Sequence, residues 1–111
     1  MNSEASTFPA ASDMQEHAAD AAGLMKALGN ESRLMILCVL ADGERSVGDL
    51  NTIVPLSQSA LSQHLAVLRR EKIVSARKEA QSVFYSLAGD EATKVMDTLH
   101  DLFCGAQKPK D

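Results

Sequence analysis

The chain has two thiols, Cys38 and Cys104, 66 residues apart in a sequence of 111. Paired thiols can exchange with sulfur electrophiles, close on each other, or ligate a soft metal. Cys38 falls in the apolar run 34–41, where a free cysteine is most often a small core residue and where burial would raise its pKa. Cys104 stands about 140° from the centre of its segment's apolar stripe, on the side of His100 and Asp97, so a core-filling role suits it less. A helix C-terminus there would repel negative charge, and a protonated His100 one turn earlier would offset that. His64 lies at the edge of a leucine stripe, the place of a packed, hydrogen-bonded histidine rather than a metal ligand. No Ser/His/Asp set, glycine-rich phosphate loop or paired-carboxylate motif stands out, and no enzymatic activity is expected.

A second set of residues suits a different chemistry. Ser57, Gln58, Ser59, Ser62 and Gln63 are short hydroxyls and amides that can approach base edges, and glutamine can bond adenine bidentately. Arg69 and Arg70 follow, then Arg77 and Lys78, all suited to phosphate. The net charge of −4 would by itself discourage a polyanionic partner. Residues 57–85, however, hold five basic residues against Glu71 and Glu79, a net of +3, which leaves −7 for the rest of the chain. A basic island in an acidic chain implies one face meant for an anionic partner.

The elements that must position these residues are legible in the spacing. At 111 residues the chain suffices for one domain, and with four aromatic residues its core must come from Leu, Val, Ile, Met and Ala, which suits packed helices. Residues 1–13 read as a disordered tail, 14–105 as the domain, and 106–111 as a second disordered tail. Asp13 and Glu16 have capping-box spacing. Met14, Ala18, Ala21, Met25 and Leu28 then recur as a narrow seam, suited either to a second helix or to ordinary core packing. Asn30 can cap a second helix, apolar all round and therefore expected in the middle of the domain, with Gly43 beyond its end. Ser46 and Asp49 open a short helix with Val47, Leu50 and Ile53 facing inward, ended by Val54-Pro55. Ser57 caps a longer helix with Leu61, Leu65 and Leu68 as its buried stripe and the serine, glutamine and arginine side chains opposite. From Ile73 the period changes to two, predicting a hairpin through 79–81 with Arg77 and Lys78 at its tip. A last helix carries Ala92, Val95, Met96, Leu99, Leu102 and Phe103 on one stripe. The order is a mainly α winged helix-turn-helix, five helices plus a small β-hairpin. No basic leader and no membrane-length apolar run occurs, so a cytoplasmic protein with reduced thiols and no membrane partner is expected.

From residue 24 to residue 104 the chain resembles the ArsR-type family of small dimeric winged-helix repressors. The matching stretches are Leu28-Gly29-Asn30-Glu31-Ser32-Arg33-Leu34, the run from Leu56-Ser57-Gln58-Ser59 through Ala60-Leu61-Ser62-Gln63-His64-Leu65, and Arg77-Lys78-Glu79 leading to Val83-Phe84-Tyr85. The resemblance implies a homodimer built on the first and last helices, here the Met14, Ala18, Ala21, Met25 seam with Val95, Leu99 and Leu102. It also implies that the Ser57 helix enters the major groove of double-stranded DNA at an inverted-repeat operator.

The family's metal patterns are missing. Where one pattern places cysteines this chain has Ser46, Gly48 and Asn51, and where another places carboxylates and imidazoles it has Gly89, Glu91, Leu102 and Gly105, so neither a metal nor another cofactor is expected. The paired cysteines, with the Ser-Gln-Ser-Ala-Leu-Ser-Gln-His-Leu and Arg-Lys-Glu-Ala-Gln runs, resemble the dithiol subgroup of BigR, SqrR and HlyU type. That likeness implies that a small reactive sulfur species or oxidant joins Cys38 and Cys104 through a disulfide or polysulfide and so switches a repressor. Two alternatives stay open: a metal-responsive regulator using the cysteines as ligands, and an anti-silencing DNA-binding protein with inert cysteines.

Overall fold

Three side-chain caps divide the helical part of the chain. Asn30 Oδ1 accepts from the Arg33 amide at 3.0 Å, Ser46 Oγ from the Asp49 amide at 3.0 Å, and Ser57 Oγ from the Ala60 amide at 3.1 Å. Each satisfies an amide that the first helical turn leaves without a partner. The computed structural model describes residues 10–105. In order the elements are α1 (Ala10–Leu28), α2 (Glu31–Ala41), β1 (Arg45–Ser46), α3 (Val47–Ile53), α4 (Gln58–Arg70), β2 (Val74–Glu79), β3 (Ser82–Leu87) and α5 (Glu91–Cys104). The expected winged helix-turn-helix is present, with α3 and α4 as the helix pair.

The wing has one strand more than expected. β2 and β3 form the hairpin, and the two-residue β1 adds to the other edge of β3, pairing Arg45 with Tyr85 and Ser46 with Phe84. A strand of two residues has no periodicity to read. Two non-glycine residues hold left-handed backbone at the turns that build this unit: Lys72, φ +62°, where α4 gives way to β2, and Ala80, φ +57°, in the hairpin turn. The first turn is locked by Lys72 N–H to Arg69 O at 2.9 Å and Ile73 N–H to Leu68 O at 2.9 Å.

The core takes one side from every helix. Ala27 and Leu28 of α1, Ile36, Leu37 and Leu40 of α2, Leu50 of α3, Leu61, Leu65 and Leu68 of α4, and Ala92 and Met96 of α5 are all buried, closed by Val54, Ile73 and Val74. The leucine stripe of α4 is as expected, and five other expectations need correction. The Asp13 cap fails, because α1 already runs from Ala10: Ala10 and Ala11 are the strongest helix formers, and Asp13 sits inside the first turn, where its charge complements the helix dipole. Of the tail expected over 1–13, residues 10–13 are thus helical, and residues 1–9 and 106–111 lie outside the described residues. Ile53 is not inward but exposed, because α3 makes only two turns and Val54, in extended conformation after it, takes the buried position. Nor is α2 buried all round: it lies on the core along one face and leaves Met35 and Cys38 exposed on the other. Leu102 and Phe103, at the end of the α5 stripe, also lie open, because the core they were to cover ends at Met96 and Leu99.

Candidate nucleic-acid interface

Burying Leu61, Leu65 and Leu68 forces the opposite face of α4 outward. Ser57, Gln58, Ser59, Ser62, Gln63, Arg69 and Arg70 are all exposed. Among the described residues the side chains of Gln58, Ser62, Gln63, Arg69 and Arg70 make no hydrogen bond or ion pair, so their polar groups are available to a ligand. Ser57 Oγ is occupied by its capping role and lies 3.4 Å from Ser59 Oγ. The turn before α4 is held by Asn51 Nδ2 donating to Leu56 O at 3.0 Å, which fixes where the helix begins. Free N–H groups at that N-terminus and two arginines in the last turn give both ends of the exposed face a positive character.

Two residues that the sequence reading passed over tie the reading helix and the wing to the rest. Arg33, on α2, donates through Nε to Ala27 O at 2.6 Å and through Nη2 to Lys26 O at 3.2 Å, so it caps the carbonyl end of α1. Its Nη1 lies 3.3 Å from His64 Nδ1 on α4; a guanidinium only donates, so Nδ1 accepts. His64 is therefore the half-buried, hydrogen-bonded histidine expected. Arg33 stands in one of the stretches that carry the family resemblance, but nothing in its spacing announces a partner 31 residues away.

The second omission is Glu44, just ahead of β1. Arg77, expected to meet phosphate at the wing, is engaged within the chain: its Nε and Nη2 donate to the two Glu44 carboxylate oxygens at 2.8 and 2.9 Å, and its Nη1 to Glu79 Oε1 at 2.6 Å. Its guanidinium carbon also sits 4.6 Å from the centre of the Phe84 ring. The hydrogen bond from Arg77 holds the Glu44 carboxyl below its ordinary range, and the same pairing raises Arg77. Lys78 is exposed with no such partner among the described residues.

Cys38 and Cys104 are both free and exposed, on helices α2 and α5 that pack against each other. The expectation that Cys38 is a core residue fails, because it falls on the face of α2 turned away from the buried Ile36, Leu37 and Leu40. Partial desolvation of its sulfur still pushes the thiol above its ordinary pKa, and the nearby Cys104 and then Asp42 push it further. The pair is thus brought within electrostatic range of each other. No group of three or more His, Cys, Asp or Glu side chains that could hold a metal occurs among the described residues. No helix among them is long and apolar enough to cross a membrane.

A capped helix with an unpartnered polar and basic outer face, a preceding short helix to brace it and a three-stranded wing beside it define a winged helix-turn-helix DNA-binding protein. The comparisons narrow this class. Residues 30–76 match the family described as bacterial regulatory protein, arsR family. The transcriptional activator HlyU of Vibrio cholerae is 52% identical over 96 residues, 86% of this chain and 89% of that protein. A biofilm growth-associated repressor of Agrobacterium fabrum is 42% identical over 95 residues, 86% of this chain and 81% of that one. Among solved structures, V. cholerae HlyU superposes with a TM-score of 0.79 at 54% identity, covering 82% of this chain and 99% of that one, and its reduced form with 0.78. The homodimeric winged helix-turn-helix domain of Mb0332 from Mycobacterium bovis superposes with a TM-score of 0.76 at 28% identity, covering 86% and 90%. The chain belongs to the ArsR family: it is a DNA-binding transcriptional regulator, not an enzyme.

Proposed function

We propose that the protein is a cytoplasmic, homodimeric regulator that grips an inverted-repeat operator through α4 and releases it when Cys38 and Cys104 are joined by sulfur. The observation that carries the DNA half is the outer face of α4, where Gln58, Ser62, Gln63, Arg69 and Arg70 have no partner among the described residues. In this reading Ser59, Ser62 and Gln63, with Ser57 and Gln58 at the start, approach base edges in the major groove, while Arg69, Arg70 and Lys78 meet phosphates. Two-fold symmetry sets the half-sites roughly one helical turn, about 34 Å, apart or a multiple of it. The dimer is supported by the apolar side chains that the single chain leaves open on α1 and α5, Met14, Met25, Leu102 and Phe103, and by the homodimeric relative.

The switch is supported by two free thiols on packed helices and by the likeness to HlyU, whose reduced form has been solved as such. A hydropersulfide RSSH transfers its outer sulfur to one thiolate and leaves as RSH. The other thiolate attacks the protein-bound sulfur of the new Cys–S–SH and expels hydrosulfide, so that RSSH and two thiols become one disulfide, RSH and hydrogen sulfide. If both cysteines are first persulfidated, loss of hydrogen sulfide leaves a trisulfide. Hydrogen peroxide oxidises one thiolate to a sulfenic acid with release of one water, and attack by the other thiol closes the disulfide and releases the second. A simple disulfide needs the two Cα atoms within about 7 Å, and a longer sulfur chain spans more. Either bridge ties α5, a dimerisation helix in this reading, to α2, and so turns the two reading helices out of step with successive grooves.

The DNA half is tested by titrating operator and scrambled duplexes at several salt concentrations. Gln63→Ala is expected to reduce discrimination between them by about 1–3 kcal/mol, and Arg70→Ala to weaken both alike and lower the salt slope by about one unit. The reverse pattern would overturn the assignment of roles.

A further inference from the structure

Arg77 sits in the wing that this reading lays beside the duplex, yet its surroundings are those of a structural fastening. β1 is only two residues long, and the residue just before it, Glu44, is the one that Arg77 grips with both a guanidinium Nε and an Nη2 donor. To reach Glu44 the side chain leaves β2, crosses β3 over the ring of Phe84, its cross-strand partner, and arrives at the start of β1. One side chain therefore spans all three strands on one face of the sheet. Glu79, two residues on along β2, holds the remaining guanidinium nitrogen from the side. The cluster of Arg77, Glu44 and Glu79 carries a net charge of −1, so the two carboxylates offset the attraction of Arg77 for a phosphate. Along β2 successive side chains alternate between faces, which turns Lys78 to the face away from this cluster. β1 ends at Ser46, which caps α3, the brace of the reading helix. Fastening the hairpin to Glu44 thus sets the wing's angle against the helix-turn-helix unit.

We propose that Arg77 is a positioning residue that braces the wing through Glu44, and that Lys78 is the wing cation that meets phosphate. The inference rests on the reading that the wing flanks the duplex, and one arm of its test needs no DNA. Three properties follow. Geometry matters more than charge, so Arg77→Lys, which keeps the charge but cannot form the two-point grip, behaves like Arg77→Ala. Glu44→Gln weakens DNA binding even though it removes a negative charge that a phosphate would meet. The two variants act through one contact, so the Arg77→Lys/Glu44→Gln double variant is no weaker than either single one.

The experiment measures amide exchange in the free protein and duplex affinity across a salt series for the wild type, Arg77→Lys, Glu44→Gln, the double variant and Lys78→Ala. Expected are faster exchange at the β3 amides in the first three variants, affinity lower by about two- to fivefold in each of them with the salt slope unchanged, and a slope lower by about one unit in Lys78→Ala. Unchanged β3 exchange in Arg77→Lys and Glu44→Gln overturns the brace whatever the DNA arm shows. Equal or tighter DNA binding by Glu44→Gln, or wild-type affinity in Arg77→Lys, overturns its role in recognition.

Discussion

Cys38 shows how a residue's chemistry depends on which side of a helix it occupies. Its position in an apolar run suggested burial, yet the buried face of α2 is filled by Ile36, Leu37 and Leu40, which leaves Met35 and Cys38 to the outside. A run apolar on every side fixes the helix but not its rotation; only the partners that cover it decide that. What surrounds the sulfur is unfavourable to its ionised form: desolvation first, then Cys104, then the carboxylate of Asp42. Because the thiol is held above its ordinary value, the thiolate fraction at neutral pH is small and grows with pH. Alkylation of Cys38 by a neutral maleimide or iodoacetamide is therefore expected to accelerate about tenfold per pH unit between pH 7 and 8. At pH 7, Asp42→Asn should react faster than the wild type. A flat rate over that range, read by mass spectrometry of the Cys38 peptide, would show a thiol already ionised.

At the scale of elements, most of the reading unit is written in short-range signals. Asn30, Ser46 and Ser57 mark three helix starts, Val54-Pro55 ends α3, and the 61, 65, 68 spacing identifies the buried side of α4 and hence its exposed one. What local spacing does not carry is any feature made by two distant segments. β1 exists because β3 offers it an edge, Arg77 is occupied by Glu44 from 33 residues away in sequence, and Arg33 reaches His64 on a neighbouring helix at the edge of the core. The hairpin turn shows a local rule overridden by the tertiary fold, since Ala80 adopts φ +57° where glycine would be at ease. Left-handed backbone costs a residue with a Cβ about 1–2 kcal/mol, and glycine returns part of that gain as unfolded-state entropy. Ala80→Gly is therefore expected to stabilise the fold by about 0.5–1 kcal/mol, measured by urea unfolding. Destabilisation would mean that the turn does not strain Ala80.

At the scale of the molecule, the single chain leaves a good deal of apolar surface uncovered. Every residue from 12 to 20 of α1 is exposed, although a helical segment of that length is marginal in water without tertiary contacts. Met25 is 63% exposed on the same helix, and Leu102 and Phe103 of α5 are 67% and 73% exposed. A second copy covering α1 and α5 accounts for both the unsupported helix and the open side chains. Sedimentation of the reduced protein at micromolar concentration is expected to give a dimer, and Leu102→Glu with Met25→Glu to shift it toward monomer. A monomeric wild type would remove the two-fold geometry on which the operator spacing rests. The same helices make the thiol pair consequential, since α5 joins the dimer contact in this account to the α2 side chain that reacts.

The central claim joins the reading helix to that thiol pair, and operator affinity with and without a persulfide donor tests it most directly. Reduced wild type, Cys38→Ser and Cys104→Ser should bind the operator alike, because neither cysteine lies on the outer face of α4. On treatment the wild type should lose affinity, gain a bridge of two or more sulfurs between Cys38 and Cys104 by mass spectrometry, and recover on reduction, while both variants stay bound. Release of the operator by Cys38→Ser at the donor concentration that releases the wild type would contradict the account.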